Sequence, residues 1–143
     1  ISGGYELRNE NFKGSSSPKS PSLLKGDNDN DLLVFEGFFN FLSYLTLRDN
    51  CKVNDLKVQG DYLVLNSLSF FVKSRGQKEG YSTIHLFLDR DKSGLQATQM
   101  ALNWSTKYKD QSIFYRSSKD LNDYLINKMQ LHEKQTHRRG LHL

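Results

Sequence analysis

Acidic residues follow three of the apolar runs in this 143-residue chain, and acids at such positions can bind metal ions. Glu36 follows the run LLVF, Asp89 and Asp91 follow the run HLFL one residue apart, and Asp120 and Asp123 lie after a later run. Carboxylates that are held close together repel each other unless a cation lies between them. Oxygen ligands without His or Cys favour magnesium or manganese over zinc. The acids therefore predict a divalent metal site, provided that the fold brings them together.

The apolar runs themselves predict a sheet that would bring the acids together. The runs LLVF, DYLVLNS, TIHLFL and QSIFYR are short, and they alternate with segments of helical spacing. Continuous apolar runs are typical of strands that are buried on both faces, so we predict an α/β open sheet of about four mainly parallel strands flanked by helices. In such sheets ligands bind beyond the carboxyl ends of the strands, and we expect the acids to share that edge.

The spacing of apolar residues predicts the helices between these strands. Their expected ranges are 38–50, 67–80, 93–108 and 120–135. Ser93 and Asp120 are the candidate N-caps of the last two helices. The apolar residues that define the helical faces are Phe38, Phe41, Leu42, Leu45, Leu95, Met100, Leu102, Leu121, Leu125, Met129 and Leu131.

Several of the acids also have a structural alternative. Asp120 can act only as an N-cap, Asp123 can lie in the first helical turn against the helix dipole, and Asp91 can be a turn residue. Glu36 is harder to explain in this way, because it and Gly37 lie directly between a buried strand and a helix. The glycine indicates a backbone that bends tightly or approaches a ligand.

Composition limits the class of protein. The formal net charge is +4, the isoelectric point is about 9.1 and the mean hydropathy is −0.65, which permits contact with a polyanion without requiring it. The single cysteine, Cys51, excludes a disulfide within the chain and a zinc cluster built from cysteines, and it agrees with a reducing, cytoplasmic compartment. No apolar run approaches the roughly 20 residues that a membrane span needs, so no membrane partner is expected.

Two segments carry a resemblance to a known family. LLVFEGFFNFLSYL, followed by HLFLDRDKSGLQAT, resembles the Toprim domain of bacterial primases, type IA and type II topoisomerases, some nucleases and recombination-mediator proteins. The family pattern is Glu-Gly after the first strand and Asp-x-Asp with a nearby Gly after the third. Here those positions are Glu36, Gly37, Asp89, Asp91 and Gly94.

The rest of the chain narrows the resemblance to the primase branch. SKDLNDYL is similar to the third acidic patch of that branch, and GGYELRNENFKGSSSPKS resembles the segment before the core in primase-like proteins of bacterial mobile elements. The resemblance implies a Rossmann-like Toprim domain over residues 31–130, an N-terminal strand and loop segment at 1–30, and a basic C-terminal tail at 131–143. It also implies that the chain is a fragment, with a zinc-binding domain upstream in the full-length protein and a helicase as a partner.

The resemblance further implies a DNA primase-like nucleotidyltransferase, which makes RNA primers on a single-stranded DNA template from nucleoside triphosphates. Its implied catalytic residues are Glu36, Asp89 and Asp91. The two aspartates would bind Mg²⁺ or Mn²⁺, Glu36 would be a further ligand or a general acid/base, and Asp120 could assist a second ion.

Basic residues in the first segment are the candidates for contact with the template. Arg8, Lys13 and Lys19 could bind its phosphates, although ordinary loop solvation explains them nearly as well. The tail histidines lie five residues apart, at positions 132, 137 and 142, so they do not share a helical face and predict a flexible or frayed tail.

Two positions depart from the family pattern. Asn40 stands where the family often has an acid four residues after its Glu, and Asn122 stands where the third patch often has its second acid. Both changes reduce the negative charge available to a second metal ion. They keep one alternative open, a non-catalytic nucleic-acid-binding module. A second alternative, a Toprim nuclease or topoisomerase-type DNA enzyme, is implied by the range of enzymes in the family.

Overall fold

A computed structural model describes residues 20–26, 28–50 and 58–141, without the side chains of residue 132 and of residues 136–141. Five strands in this part of the chain form one sheet, namely β1 (Ser22–Leu24), β2 (Asp31–Phe35), β3 (Asp61–Val64), β4 (Thr83–Phe87) and β5 (Tyr108–Asp110). Their order is β1-β3-β2-β4-β5, and every pairing is parallel except that of β1 with β3. The predicted α/β sheet is therefore confirmed, with an antiparallel edge strand in addition.

The helices are α1 (Phe38–Asn50), α2 (Phe70–Lys73), α3 (Arg75–Lys78), α4 (Lys92–Trp104) and α5 (Leu121–Leu141). A 3₁₀ helix, Ser112–Tyr115, lies between β5 and α5. The single helix predicted over 67–80 is thus two short helices, and the last helix continues beyond residue 135. Within the described ranges, no helix has the length and apolar character needed to cross a bilayer.

Apolar residues cover both faces of the sheet, as the continuous strand runs predict. On one face, Phe35 of β2 and Phe87 of β4 stack with ring centroids 5.0 Å apart, and Tyr44 of α1 packs against both. On the other face, Phe71 of α2 and Ala101 of α4 belong to the buried cluster. Within the described part of the chain, helices cover both faces of the sheet, and the ends of the strands are left open for a site.

The fourth strand was predicted at the wrong residues. The run QSIFYR is not a strand, because the Asp110 carboxylate accepts hydrogen bonds from Ser112 N at 2.9 Å and Ser112 Oγ at 2.6 Å at the point where β5 ends. The chain then forms the 3₁₀ helix, in which Tyr115 is buried and Ile113 is exposed. Tyr115 donates from its hydroxyl to the Leu88 carbonyl at 2.8 Å, which fixes the helical turn to the sheet.

The buried face of α4 also differs from the prediction. The large residues Leu95, Met100 and Leu102 are exposed, and the helix instead buries Gly94, Ala97, Thr98 and Ala101. These four have the spacing of one helical face. Small residues on that face let the helix lie close to the sheet, so size decides the buried face here and hydrophobicity does not.

The other two long helices agree with the prediction in part. Phe41 is buried, and Phe38 and Leu45 are partly buried against the same core, but Leu42 is exposed. In α5, the core cluster includes Leu121 with Leu125 packed against it, whereas Met129 and Leu131 are exposed. Among the described side chains of α5, those that contact the core lie in its first turns.

The parallel strands give the sheet two distinct edges. The carboxyl edge is the end at which β2, β3, β4 and β5 finish, and the amino edge is the end at which they begin. Register places Phe35 beside Phe87, so β2 and β4 finish side by side at the carboxyl edge. Asp61, the first residue of β3, lies at the amino edge.

Candidate metal centre

Strand register brings the first two acids together. Glu36 directly follows Phe35, the last residue of β2, and Asp89 lies two residues after Phe87, the last residue of β4. The backbone N–H of Asp89 donates a hydrogen bond to Glu36 Oε1 at 3.1 Å. Two acids that are 53 positions apart in the sequence are thus neighbours because their strands are neighbours.

Asp91 completes a cluster of three carboxylates. One ligand oxygen each from Glu36, Asp89 and Asp91 lie within 4.8 Å of one another. Glu36 and Asp89 are half-buried and Asp91 is exposed, so the group is open to solvent on one side. In the part of the chain that the structure describes, no Lys, Arg or His forms an ion pair with any of the three. Three oxygen ligands without a counter-charge fit a hard divalent cation.

The electrostatics of the cluster agree with that fit. Burial, reinforced by the charge of Asp89, raises the pKa of Glu36 to about 7. Burial and the charges of Asp120 and Asp91 raise the pKa of Asp89 to about 6, although a hydrogen bond from Asn40 acts in the opposite direction. Burial and crowded negative charge together make ionisation of these acids more difficult, which is the condition that a bound cation relieves.

Asp91 has a structural role as well. Its Oδ1 accepts a hydrogen bond from Gly94 N at 2.8 Å, so Asp91 is the N-cap of α4 and the prediction of Ser93 was wrong. A Cβ added at Gly94 would lie 2.0 Å from the Asp89 carbonyl oxygen. Glycine is required there because the first turn of α4 lies against the backbone that carries Asp89.

Asp120 lies close enough to Asp89 for its charge to raise the pKa of that residue. The Arg90 N–H donates to the Lys119 carbonyl at 2.6 Å, which ties the end of β4 to the segment before α5. Asp120 also caps α5, since its Oδ1 accepts from Asp123 N at 2.8 Å. The N-cap prediction is confirmed, and the role of Asp120 as a metal ligand stays a prediction.

A chain of hydrogen bonds behind the cluster was not predicted from the sequence. Asn40 Nδ2 donates to Asp89 Oδ1 at 2.9 Å, and Asn122 N donates to Asn40 Oδ1 at 3.1 Å. Ser43 Oγ lies 2.9 Å from Asn122 Oδ1 and 2.8 Å from the Phe39 carbonyl oxygen, so it can donate to either. The sequence held one signal for it: Asn40 and Asn122, the two departures from the family pattern, are both members of this series of hydrogen bonds.

Gly37 differs from Gly94. A Cβ added at Gly37 would meet no protein atom within 4 Å, and no glycine in the described ranges has a positive φ. The backbone does not require glycine there for a tight bend. Approach to a ligand is the alternative that remains a prediction.

The predicted template-binding residues Arg8, Lys13 and Lys19 lie outside the described residues, as do the side chains of the three tail histidines. Near the carboxylates, Arg90 Nη1 donates to Ser112 Oγ at 2.8 Å. The lysines at positions 92 and 119, which adjoin Asp91 and Asp120 in the sequence, are exposed. Positive charge is thus present next to the acids in the described part of the chain as well.

Comparisons with known proteins agree with this geometry. A family model described as Toprim-like matches residues 33–125. The comparison with curated proteins gives no match. Among solved structures, the chain is similar to the crystal structure of the primase fragment of the bacteriophage T7 primase-helicase protein, with a TM-score of 0.51 and 20% sequence identity. That match covers 71% of this chain and 41% of the other, so this chain spans less than half of that structure, and at this identity the likeness concerns the fold.

Proposed function

The chain belongs to the Toprim-like family, and we propose that it is a primase-like Toprim catalytic domain. The proposed activity is magnesium-dependent nucleotidyl transfer that makes RNA primers on a single-stranded DNA template. The observation that carries the proposal is the cluster of Glu36, Asp89 and Asp91, whose ligand oxygens lie within 4.8 Å of one another at the carboxyl edge of the sheet.

Each acid has a distinct proposed role in primer synthesis. Asp89 and Asp91 supply the oxygens that hold Mg²⁺ or Mn²⁺, Glu36 is a third ligand or the general base, and Asp120 assists a second ion. A divalent ion at this position would stabilise charge on the attacking and leaving oxygens of the phosphoryl transfer. The three acids of the cluster orient the reacting groups because their backbone is held by β2, β4 and the N-terminus of α4.

In the proposed reaction, the 3′-hydroxyl of one ribonucleotide attacks the α-phosphate of the next. A new P–O bond forms, pyrophosphate leaves, and the hydroxyl proton passes to a base. Glu36 is the proposed acceptor of that proton, because one of its carboxylate oxygens lies within 4.8 Å of the ligand oxygens of Asp89 and Asp91.

We also propose where the template and the partners bind. Arg8, Lys13 and Lys19 remain the proposed contacts for template phosphates, with Lys92 and Lys119 as additional cations beside the acids. The proposed catalytic domain is residues 31–130, flanked by the segments 1–30 and 131–143. The proposed setting is the cytoplasm of a bacterial cell. There the domain would be part of a longer protein, encoded by a mobile element, and that protein would carry a zinc-binding domain and work with a helicase.

A primer synthesis assay tests the proposal. The full chain is incubated with a single-stranded DNA template, ribonucleotides and Mg²⁺, and the products are resolved by length. We expect short RNA products from the wild-type chain and from Asp49→Asn, a control at an exposed acid of α1. We expect none from Asp89→Asn. Wild-type protein that makes no RNA contradicts the proposal, and cleavage of DNA in the same reaction supports a Toprim nuclease instead.

One observation favours a second candidate, a non-catalytic nucleic-acid-binding module. Asn40 and Asn122 are neutral where the resemblance predicts acids, so this chain has fewer carboxylates for a second ion than the family pattern provides. Binding of single-stranded DNA without synthesis or cleavage, and with the same affinity in Asp89→Asn, would support this candidate.

A further inference from the structure

We propose that Asn40 is a positioning residue for the metal site. Its side-chain amide holds the Asp89 carboxylate in place and connects it to the start of α5 through the backbone of Asn122. The inference rests on the metal-binding part of the proposed function, and it assigns a role to a residue that the sequence pattern marks only as a lost ligand.

The two partners of Asn40 determine the orientation of its amide. The carboxylate of Asp89 can only accept hydrogen bonds when it is ionised, so the Nδ2 group of Asn40 must face it, as it does at 2.9 Å. The backbone N–H of Asn122 can only donate, so Oδ1 of Asn40 must face it, as it does at 3.1 Å. Reversing the amide would lose both hydrogen bonds, so the amide has one stable orientation. We call this pair of hydrogen bonds, from Asn40 to Asp89 and from Asn122 to Asn40, the clamp.

Burial shows that the clamp is not a chance surface contact. Asn40 is 7% exposed, in a helix whose neighbouring core residues are the aromatic side chains of Phe41 and Tyr44. A buried amide is unfavourable unless its polar atoms are hydrogen-bonded, and Asn is a poor helix former. An apolar residue at this position of α1 would be enough to pack against the core, whereas the amide also provides a hydrogen bond to Asp89.

Asp89 needs such support because its other neighbours repel it. The charges of Asp120 and Asp91 act on it from two sides. The carboxylate would turn away from them if nothing held it, and the described structure provides no cationic side chain within ion-pair distance. The amide of Asn40 donates to it instead.

The neutrality of the amide is the useful property. A lysine or arginine at position 40 would neutralise Asp89 and compete with a metal ion, and an acid would add to the repulsion. An amide orients the carboxylate and leaves its charge available to a cation. Residues that orient metal ligands in this way typically change metal affinity by about 10- to 100-fold when they are mutated.

The test is a calorimetric titration of the full chain with Mn²⁺, which serves as the probe for the divalent site. The variants are Asn40→Leu, which keeps the size of the side chain, and Asn40→Ala, which is used if the Asn40→Leu protein does not fold. We expect Mn²⁺ to bind both about tenfold more weakly than it binds the wild type. The control is Asn122→Ala, which removes a side chain from the same hydrogen-bond chain but keeps the backbone donor to Asn40, and its affinity should stay within about twofold of wild type.

Thermal melting without metal separates positioning from a purely structural role. Positioning predicts weaker Mn²⁺ binding by Asn40→Leu at temperatures well below its metal-free melting temperature, where the variant is fully folded. A folded Asn40 variant with wild-type affinity overturns the inference, and so does an Asn122→Ala variant that loses as much affinity as Asn40→Leu. Wild-type protein that binds no Mn²⁺ overturns the inference together with the metal-dependent function, whereas wild-type protein that binds Mn²⁺ but makes no primers contradicts the proposed function alone.

Discussion

Two acids at opposite edges of the sheet are accommodated in different ways. Asp61 at the amino edge is fully buried, and it accepts hydrogen bonds from Lys25 Nζ at 2.8 Å, Gly26 N at 2.9 Å and Tyr81 OH at 2.7 Å. Asp89 at the carboxyl edge is only half-buried, and its carboxylate accepts from the neutral amide of Asn40. The more deeply buried acid therefore has the more complete set of donors, including a cation.

Their pKa values differ accordingly. Burial acts to raise the pKa of Asp61, but the hydrogen bonds from Gly26, Lys25 and Tyr81 outweigh it, and the pKa lies below its ordinary value. The pKa of Asp89 is raised to about 6. The neighbours of an acid, rather than its burial alone, decide whether its charge is already stabilised by the protein or would be stabilised further by a bound cation.

Removing the charge at the carboxyl edge should have the strongest effect. Asp89→Asn should weaken Mn²⁺ binding at least about 100-fold and reduce primer synthesis at least about 1,000-fold, since a ligand and its charge are lost. Because the same change relieves repulsion, the metal-free protein should unfold at an equal or higher urea concentration. Calorimetric titration, a primer assay and urea denaturation check the three effects, and a large loss of metal-free stability would contradict the comparison.

Removing the acid at the amino edge should have the opposite profile. Asp61→Ala leaves buried donors without an acceptor, so we expect the free energy of unfolding to fall by about 3 kcal/mol. Its affinity for Mn²⁺ should remain within about twofold of wild type, because Asp61 lies at the other end of the strands. Urea denaturation and calorimetry measure these quantities, and a folded Asp61→Ala protein with much weaker Mn²⁺ binding would show that the two edges are not independent.

The raised pKa values predict how stability depends on pH. Glu36 and Asp89 keep their protons up to about pH 7 and 6 in the folded chain, whereas in the unfolded chain they lose them near pH 4.5 and 3.8. The folded state therefore binds more protons across this window, and stability should fall as the pH rises from about 4 to 7. Allowing for solvent screening, the fall should be about 2 kcal/mol in total.

Urea denaturation at pH 5 and pH 8 isolates this contribution when the wild type is compared with Glu36→Gln/Asp89→Asn. The difference in pH dependence between the two proteins should shrink in saturating Mg²⁺, because the cation replaces the protons. Asp61, whose pKa is lowered, should instead contribute stability that is lost as the pH falls below about 3.8. A wild-type protein whose stability relative to the variant rises between pH 5 and 8 without metal would contradict this prediction.

The weakest effect concerns the glycines of the two edges. A Cβ added at Gly60, at the amino edge, would lie 2.5 Å from the Asp31 carbonyl oxygen, whereas one added at Gly37 would meet nothing within 4 Å. Gly37→Ala should therefore change the free energy of unfolding by no more than about 0.5 kcal/mol, with Gly60→Ala as the destabilised control. Weaker binding of nucleotide or template by a stable Gly37→Ala protein would support approach of a ligand to this position.

The sequence allowed the parallel sheet and the convergence of its acids to be predicted, because continuous apolar strands and acids at their ends are local patterns. Helix α1 was predicted with the bounds Phe38–Asn50 that it has. The fourth strand was misplaced because QSIFYR has the composition of a strand, while the Asp110 carboxylate that ends β5 is recognisable only from its contacts with Ser112.

Tertiary contacts also explain the remaining differences. The buried face of α4 consists of small residues, and close approach to the sheet is a property of the packed structure rather than of hydrophobic spacing. Asn40 could be recognised as a departure from a pattern, but its hydrogen bonds reach Asp89 and Asn122, which are 49 and 82 positions away. Local patterns of residue type and spacing do not indicate that those three residues meet.

A crystal structure of the chain soaked in Mn²⁺, with data collected at the manganese absorption edge, would locate the ion at the proposed metal site. We expect an anomalous difference peak bounded by carboxylate oxygens of Glu36, Asp89 and Asp91, and no such peak in crystals of Asp89→Asn. Diffraction from well-soaked wild-type crystals without a peak between those three side chains, or with the same peak in Asp89→Asn, would contradict a metal site built from these acids.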